Sequence, residues 1–281
     1  MTLSLAVSNI AWEPKDRFAA YEAMSNLGVS GLEIAPGLFF PHSDDPFAPS
    51  ISEKKQAEDE IESHGLRLVS MQSLLFGTQG AELFGEPCAQ KIFQQGMTRA
   101  INLAQTLEVP NLVFGSPRQR IIPPAMTRDD AELIAIDMFR NLGDRARKAG
   151  TQISLEPNPD IYGTNFLTSL VEVVNFTRRV DHPSVKLTID AGALHNNDEF
   201  PAFFDMGAQI QDLIGHVHLS APWLAPPPDS NEDILAFLIS LASKGYVGPV
   251  SLEMKACGPV PNHVTPVLTR MAQAIGDYYA Q

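Results

Sequence analysis

Residues 185–190 read VKLTID, and the alternation within them decides the fold. Successive side chains of a strand point to opposite faces, so Val185, Leu187 and Ile189 share one side and Lys186, Thr188 and Asp190 the other. The same two-faced pattern recurs in three more predicted strands. In Gln152–Glu156, Ile153 and Leu155 oppose Ser154 and Glu156; in His216–Ser220, Val217 and Leu219 oppose His216, His218 and Ser220. In Val250–Lys255, Val250, Leu252 and Met254 oppose Ser251, Glu253 and Lys255. Four earlier runs also read as strands: Leu3–Ser8, Gly31–Ala35, Leu66–Gln72 and Asn111–Gly115.

Helical patterns lie between these runs, over Pro14–Leu27, Ser52–His64, Pro87–Leu107, Arg128–Ala149, Asn165–Val180, Ala202–Leu213, Asn231–Lys244 and His263–Tyr279. Regular strand–helix alternation predicts parallel βαβ units. Eight units with no break in composition predict an α/β fold, a (β/α)8 TIM barrel, as one domain over residues 1–281. Glycine follows a helical pattern and precedes an apolar run in NLGVSGLEI, SHGLRLV, KAGTQISL and SKGYVGPVSL. That is the place where glycine ends a helix. The loops at Pro36–Pro49 and Ala221–Ser230 are long and proline-rich, and both belong on the C-terminal face of a barrel.

The bulk properties narrow the function. The chain has 281 residues, of which 44% are hydrophobic and 19% charged, with only two cysteines, Cys88 and Cys257. No disulfide framework is implied. The formal net charge is −13, which disfavours nucleic acid as a partner. There is no basic, apolar leader at the N-terminus and no run of about 18 apolar residues. A soluble cytoplasmic protein is the expectation, with a homo-oligomer left open.

A ring of outer helices needs the apolar strand faces, so the polar faces point into the barrel. Buried polar groups cost free energy unless they are paired or bind something. The inward groups towards the strand ends are Glu156, Asp190, His216 or His218, and Glu253. Three carboxylates and an imidazole at a barrel mouth repel without a cation, and that donor set suits Mn²⁺, Mg²⁺, Co²⁺ or Zn²⁺. Each residue has a plainer reading. Glu156 can cap the next helix, Asp190 can form a turn ahead of Gly192, a lone strand His can be a satisfied core residue, and Glu253 can pair with Lys255. Needing all four on four consecutive strands favours the metal.

The ordered set GLEIAP, SLEPNP, TIDAGA, GHVHLSAP and SLEMK resembles the xylose isomerase-like TIM barrels across essentially the whole chain. That superfamily includes sugar and sugar-phosphate isomerases and epimerases and the endonuclease IV class. The resemblance implies one divalent metal, manganese first, held by Glu156, Asp190, His218 and Glu253. It implies His216 one layer deeper, and Glu156 and Glu253 doubling as acid and base beside a metal-polarised carbonyl. The chain departs from the pattern at Ala193, where many relatives carry His, at Leu224, where many epimerases carry Arg, and at Tyr162, where they carry an acid.

Substrate contacts are expected from Arg118, with Arg120 beside it, at the mouth; from Lys255 and Glu33 on inner faces; from His216; from His195 in place of the missing His; and from Trp12 and Trp223 as stacking surfaces. Trp packing or a solvated Arg loop would equally produce those residues. The expected activity is a metal-dependent sugar or keto-sugar isomerase or epimerase with a small carbohydrate substrate. The alternatives are a lyase on an oxidised (3-keto) sugar or glycoside, a metal-dependent phosphoesterase or endonuclease, and a non-catalytic sugar-binding barrel.

Overall fold

The computed structural model describes residues 3–227 and 230–280. Met1 and Thr2 of the N-terminal run, and Pro228 and Asp229 of the proline-rich loop, lie outside the described residues. Eight strands close a parallel barrel in sequence order. They are β1 (Ser4–Ser8), β2 (Gly31–Ile34), β3 (Arg67–Met71), β4 (Asn111–Phe114), β5 (Gln152–Leu155), β6 (Val185–Asp190), β7 (Ile214–Leu219) and β8 (Pro249–Leu252), and β8 pairs back onto β1. The helices are α1 (Arg17–Asn26), α2 (Pro36–Phe39), α3 (Ile51–Glu62), α4 (Pro87–Thr106), α5 (Arg128–Lys148), α6 (Leu170–Val180), α7 (Ala191–Asn196), α8 (Phe200–Asp205), α9 (Asn231–Ser243) and α10 (Val260–Tyr279). None of the described helices is long and apolar enough to cross a membrane.

Local chemistry sets the boundaries. Ser50 and Glu53 form a reciprocal capping box at the start of α3, and Thr127, Ser169 and Ser230 cap α5, α6 and α9 with their hydroxyls. Past α3 and α5, Gly65 and Gly150 take φ of 68° and 76°, a left-handed turn that a Cβ would resist. One expected helix, Ala202–Leu213, is instead α8 followed by a 3₁₀ turn over Gly207–Leu213. Gly207, at φ 57°, breaks the run between them.

The outward strand faces make the core. Ile153, Leu155, Leu187, Ile189, Val217, Val250 and Leu252 are all fully buried. A chain of edge-to-face rings runs through it, from Phe93 to Phe114 (5.6 Å), Phe139 (5.2 Å) and Phe176 (6.0 Å).

The inward faces divide into two layers. In the lower one the polar groups satisfy each other: Asn111 Nδ2 donates to Ser70 Oγ (3.0 Å), Ser154 Oγ to Asn111 Oδ1 (2.5 Å) and Gln152 Nε2 to Asn111 Oδ1 (3.1 Å). Lys186, also on the inner parity, reaches the backbone oxygen of Asp212 at 2.6 Å. A polar lumen therefore does not require a ligand everywhere. Among the described residues, the upper layer at the C-terminal mouth is where three carboxylates gather round one imidazole.

Candidate metal centre

Four strands deliver the upper layer. Glu156 follows β5, and its N–H still donates to Phe114 O of the neighbouring strand at 3.1 Å. Asp190 ends β6 and caps α7, its Oδ1 accepting from Ala193 N–H at 2.5 Å. Glu253 follows β8, held by its N–H on Leu219 O at 3.0 Å. His218 lies within β7, in register with Asp190 on one side and Ser251 on the other. One donor atom from each of Glu156, Asp190, His218 and Glu253 falls within 4.8 Å of the others.

His218 organises the group. Its Nδ1 lies 3.0 Å from Glu156 Oε1, 3.2 Å from Glu253 Oε2 and 3.7 Å from Asp190 Oδ2. Its Nε2 faces the other way, 3.1 Å from Glu33 Oε1. Glu33 is fully buried and also receives Gln72 Nε2 at 2.8 Å and His216 Nε2 at 2.7 Å. His216 is shared with Ser251 Oγ at 3.0 Å. Glu33 and His216 thus form a floor beneath His218.

Burial opposes every charge in this group, and neighbours decide which survive. Burial pushes Asp190 up to about 7, and the charges of Glu156 and Glu253 push the same way. Burial also raises Glu253, with His218 offsetting only part. For Glu156 burial is outweighed by the hydrogen bond and charge of His218, helped by Asn158 Nδ2 at 2.9 Å from Oε2, and its pKa falls below the ordinary range. Burial is outweighed again at Glu33, where His218 and His216 hold the carboxyl well below its usual value. His218 is itself held well above normal, the charges of Glu253 and Glu33 overcoming burial.

This donor set fits a metal ion. With the Nε2 hydrogen of His218 committed to Glu33, a neutral ring turns the Nδ1 lone pair towards three carboxylates. Carboxylates and a bare ring nitrogen only accept, so protons or a cation must sit among them. A divalent ion of the oxygen- and imidazole-binding kind meets that need.

Above the group lies a cavity of about 410 Å³, with Glu156, Asp190 and Glu253 in its wall together with Asn158, Tyr162, Ser220 and Trp223. Of the expected substrate contacts, Trp223 is in this wall and 59% exposed. Trp12 is buried edge-on against Tyr21, centroids 6.2 Å apart. Arg118 is exposed, outside the cavity wall. Arg120 is fully buried, donating from Nη2 to Glu156 O at 2.9 Å. His195 is exposed on α7, at a separate apolar groove with Phe200, Phe204 and Phe237 that meets the cavity at Ser220 and Ala221. Lys255 is exposed because the chain leaves the sheet after Leu252; its backbone N–H bonds Leu224 O at 2.8 Å.

Four wall residues had no role in the sequence reading. Ser220 Oγ donates to Asp190 Oδ2 at 2.8 Å and accepts from Gly192 N–H at 2.9 Å. Asn158 steers Glu156, and its parity with Glu156 was the signal available for it. At Gly115 a Cβ would run into Glu156 Oε2, so the bare backbone there leaves that oxygen its place. Tyr162 comes in from a separate turn, Asp160–Tyr162, and no periodicity marks it.

A family model described as a xylose isomerase-like TIM barrel matches residues 21–271. The chain belongs to that family. Among curated proteins no sequence matches it. Solved structures in the family's fold superpose over nearly the whole chain. A D-psicose 3-epimerase determined in the presence of D-fructose is 16% identical, with TM-score 0.73, covering 99% of this chain and 98% of its own. The 3-keto-D-glucoside 4-epimerase of E. coli is 17% identical, with TM-score 0.71 and full coverage of both chains. A family 2 AP endonuclease from Brucella melitensis is 17% identical, with TM-score 0.70, covering 93% and 96%. At these identities the likeness is one of fold.

Proposed function

We propose that this protein is a divalent-metal-dependent isomerase or epimerase of a small sugar or keto-sugar. The observation that carries the reading is the pairing of Glu156 and Glu253 at one ring nitrogen of His218, in the wall of one cavity. Two carboxylates facing one cavity are what proton removal and return at a carbon require. The epimerase neighbours of the same fold agree with it.

Glu156, Asp190, His218 and Glu253 would hold the ion, with Mn²⁺ the first choice and Mg²⁺, Co²⁺ or Zn²⁺ the others. A bound divalent ion supplies Lewis-acid polarisation of a carbonyl and an adjacent hydroxyl. Glu156, held by Asn158 Nδ2 at 2.9 Å from Oε2, takes the proton from the neighbouring carbon. Glu253, in the same cavity wall, returns a proton to that carbon. Asp190 and His218 fix the ligand geometry, Ser220 and Glu33 fix them in turn, and Trp223 offers an apolar face to the sugar.

The test is incubation of the Mn²⁺-loaded protein in D₂O with D-fructose, D-tagatose, D-allulose and a 3-keto-glucoside. The expected result is deuterium incorporation beside the carbonyl with formation of an epimer or isomer, abolished in Glu156→Gln and Glu253→Gln. Release of an unsaturated product would show elimination instead. No exchange with any of these sugars refutes the proposal.

A further inference from the structure

The cavity wall places three carboxylates, Glu156, Asp190 and Glu253, around the space where substrate would sit. With a cation among them, Glu156, Asp190 and Glu253 are ionised and only accept. The donors nearest them are already committed. Asn158 Nδ2 serves Glu156 Oε2 (2.9 Å) and Pro157 O (3.0 Å), Ser220 Oγ serves Asp190 Oδ2 (2.8 Å), and Gln72 Nε2 serves Ser8 Oγ and Glu33 Oε1 (both 2.8 Å). Tyr162 is different. Its hydroxyl accepts from Trp223 N–H at 3.0 Å, which uses a lone pair and leaves the hydroxyl hydrogen free for something else.

The structure holds that hydroxyl deliberately. Trp223 and Leu224 are consecutive non-glycine residues at φ 62° and 56°, a left-handed conformation that persists only where surroundings enforce it. Here Ala221 and Ala225 bridge across the turn, Lys255 N–H clamps Leu224 O at 2.8 Å, and the Trp223 and Tyr162 rings meet edge-to-face at 4.9 Å. The strained turn aims the Trp223 N–H at Tyr162 Oη. Burial, the three carboxylates nearby adding to it, raises the phenol's pKa, so it keeps its hydrogen across the neutral range.

We propose that Tyr162 is a catalytic residue that donates its phenolic hydrogen bond to the carbonyl oxygen of the sugar. Substrate hydroxyls can give their hydrogens to the carboxylates of this wall, whereas a carbonyl oxygen carries no hydrogen, and beside an ion on one lone pair its other lone pair takes a donor. As a carboxylate removes the proton from the adjacent carbon, that oxygen gains negative charge and the bond from Tyr162 strengthens. The phenol keeps its hydrogen throughout. The proposal rests on the isomerase or epimerase reading above.

The test compares wild-type and Tyr162→Phe protein, both loaded with Mn²⁺. The assay reads kcat and KM for D-fructose, and the inhibition constant of D-mannitol, in which the carbonyl is reduced to a hydroxyl. The expected loss is about a hundredfold in kcat, the scale of one donor to a developing oxyanion. KM and D-mannitol inhibition should change less than about twofold, the limit set for an effect that spares ground-state binding. A merely structural tyrosine would instead shift Mn²⁺ affinity by titration calorimetry or the melting temperature, and both are expected to stay at the wild-type value. Equal kcat in the two proteins, or a loss shared equally with D-mannitol binding, overturns the inference alone. If wild-type protein neither binds nor turns over D-fructose, D-tagatose, D-allulose or a 3-keto-glucoside, the functional reading falls and takes this inference with it.

Discussion

Glu33→Gln is the sharpest test of how the metal centre is held. Glu33 sits at zero exposure and gathers three donors: His216 Nε2 at 2.7 Å, Gln72 Nε2 at 2.8 Å and His218 Nε2 at 3.1 Å. A glutamine of the same shape has one oxygen and one NH₂ group. Its NH₂ must therefore face at least one N–H donor. The loss is about one charge-assisted hydrogen bond plus an unpaired buried donor, together about 2–4 kcal/mol. For a chain of this size each kcal/mol moves the melting temperature by roughly 2–4 °C, so the metal-free variant should melt about 4–16 °C lower. The larger consequence is at the other end of the His218 ring. Without an anionic partner at Nε2, the tautomer that presents Nδ1 as a ligand is no longer enforced, and Mn²⁺ affinity should fall about 10- to 100-fold. Titration calorimetry on chelator-treated protein measures this directly. Mn²⁺ affinity within about twofold of wild type in a folded Glu33→Gln protein would refute the anchoring role. A raised KM with normal metal affinity would point to Glu33 touching substrate hydroxyls instead.

Asp190 gives a pH signature in the metal-free protein. Its folded pKa is raised from 3.8 to about 7, so its contribution to stability is present below about 4 and is lost as pH rises towards 7. Asp190→Asn, which keeps a capping side chain for α7, should melt higher than wild type after chelation at pH 8, lose more than half of that advantage at pH 5 and the rest below about pH 4; a difference flat in pH would contradict the burial account. Mn²⁺ binding should release protons near pH 7, because Asp190 and His218 carry them in the free protein, and calorimetry in buffers of different ionisation enthalpy counts them. No proton release would remove these two residues from the ligand set. Gly115→Ala places a methyl against Glu156 Oε2, so turnover should fall at least about tenfold while the melting temperature moves by less than about 3 °C. Unchanged turnover would show that Glu156 can move aside at no cost.

The barrel was legible because its strands alternate so regularly. Val185, Leu187 and Ile189 pack outward and Asp190 inward, as the period of two demands, and the eight strands close in the order they are written. Reading the same parity through β8 as far as Lys255 overreached: Glu253 N–H still bonds Leu219 O of β7, whereas Lys255 N–H bonds Leu224 O in the loop instead. Polar inner faces were also a coarser signal than they looked. Asn111, Gln152 and Ser154 share that parity with Glu156, yet pair among themselves.

Sequence alone was enough for the closed barrel, for the side each strand residue faces, and for the meeting of Glu156, Asp190, His218 and Glu253, because side-chain alternation and strand order are local properties repeated eight times. It could not tell which polar neighbours serve the cluster. Glu33 reaches His218 across 185 residues of chain, and Tyr162 meets Trp223 across 61. Those contacts depend on barrel curvature and on the path of loops between strands and helices, where no period links one residue to the next. The fold brings the ligands to one height on the barrel wall; the loops and the layer beneath decide how each is oriented and what the cavity offers a substrate.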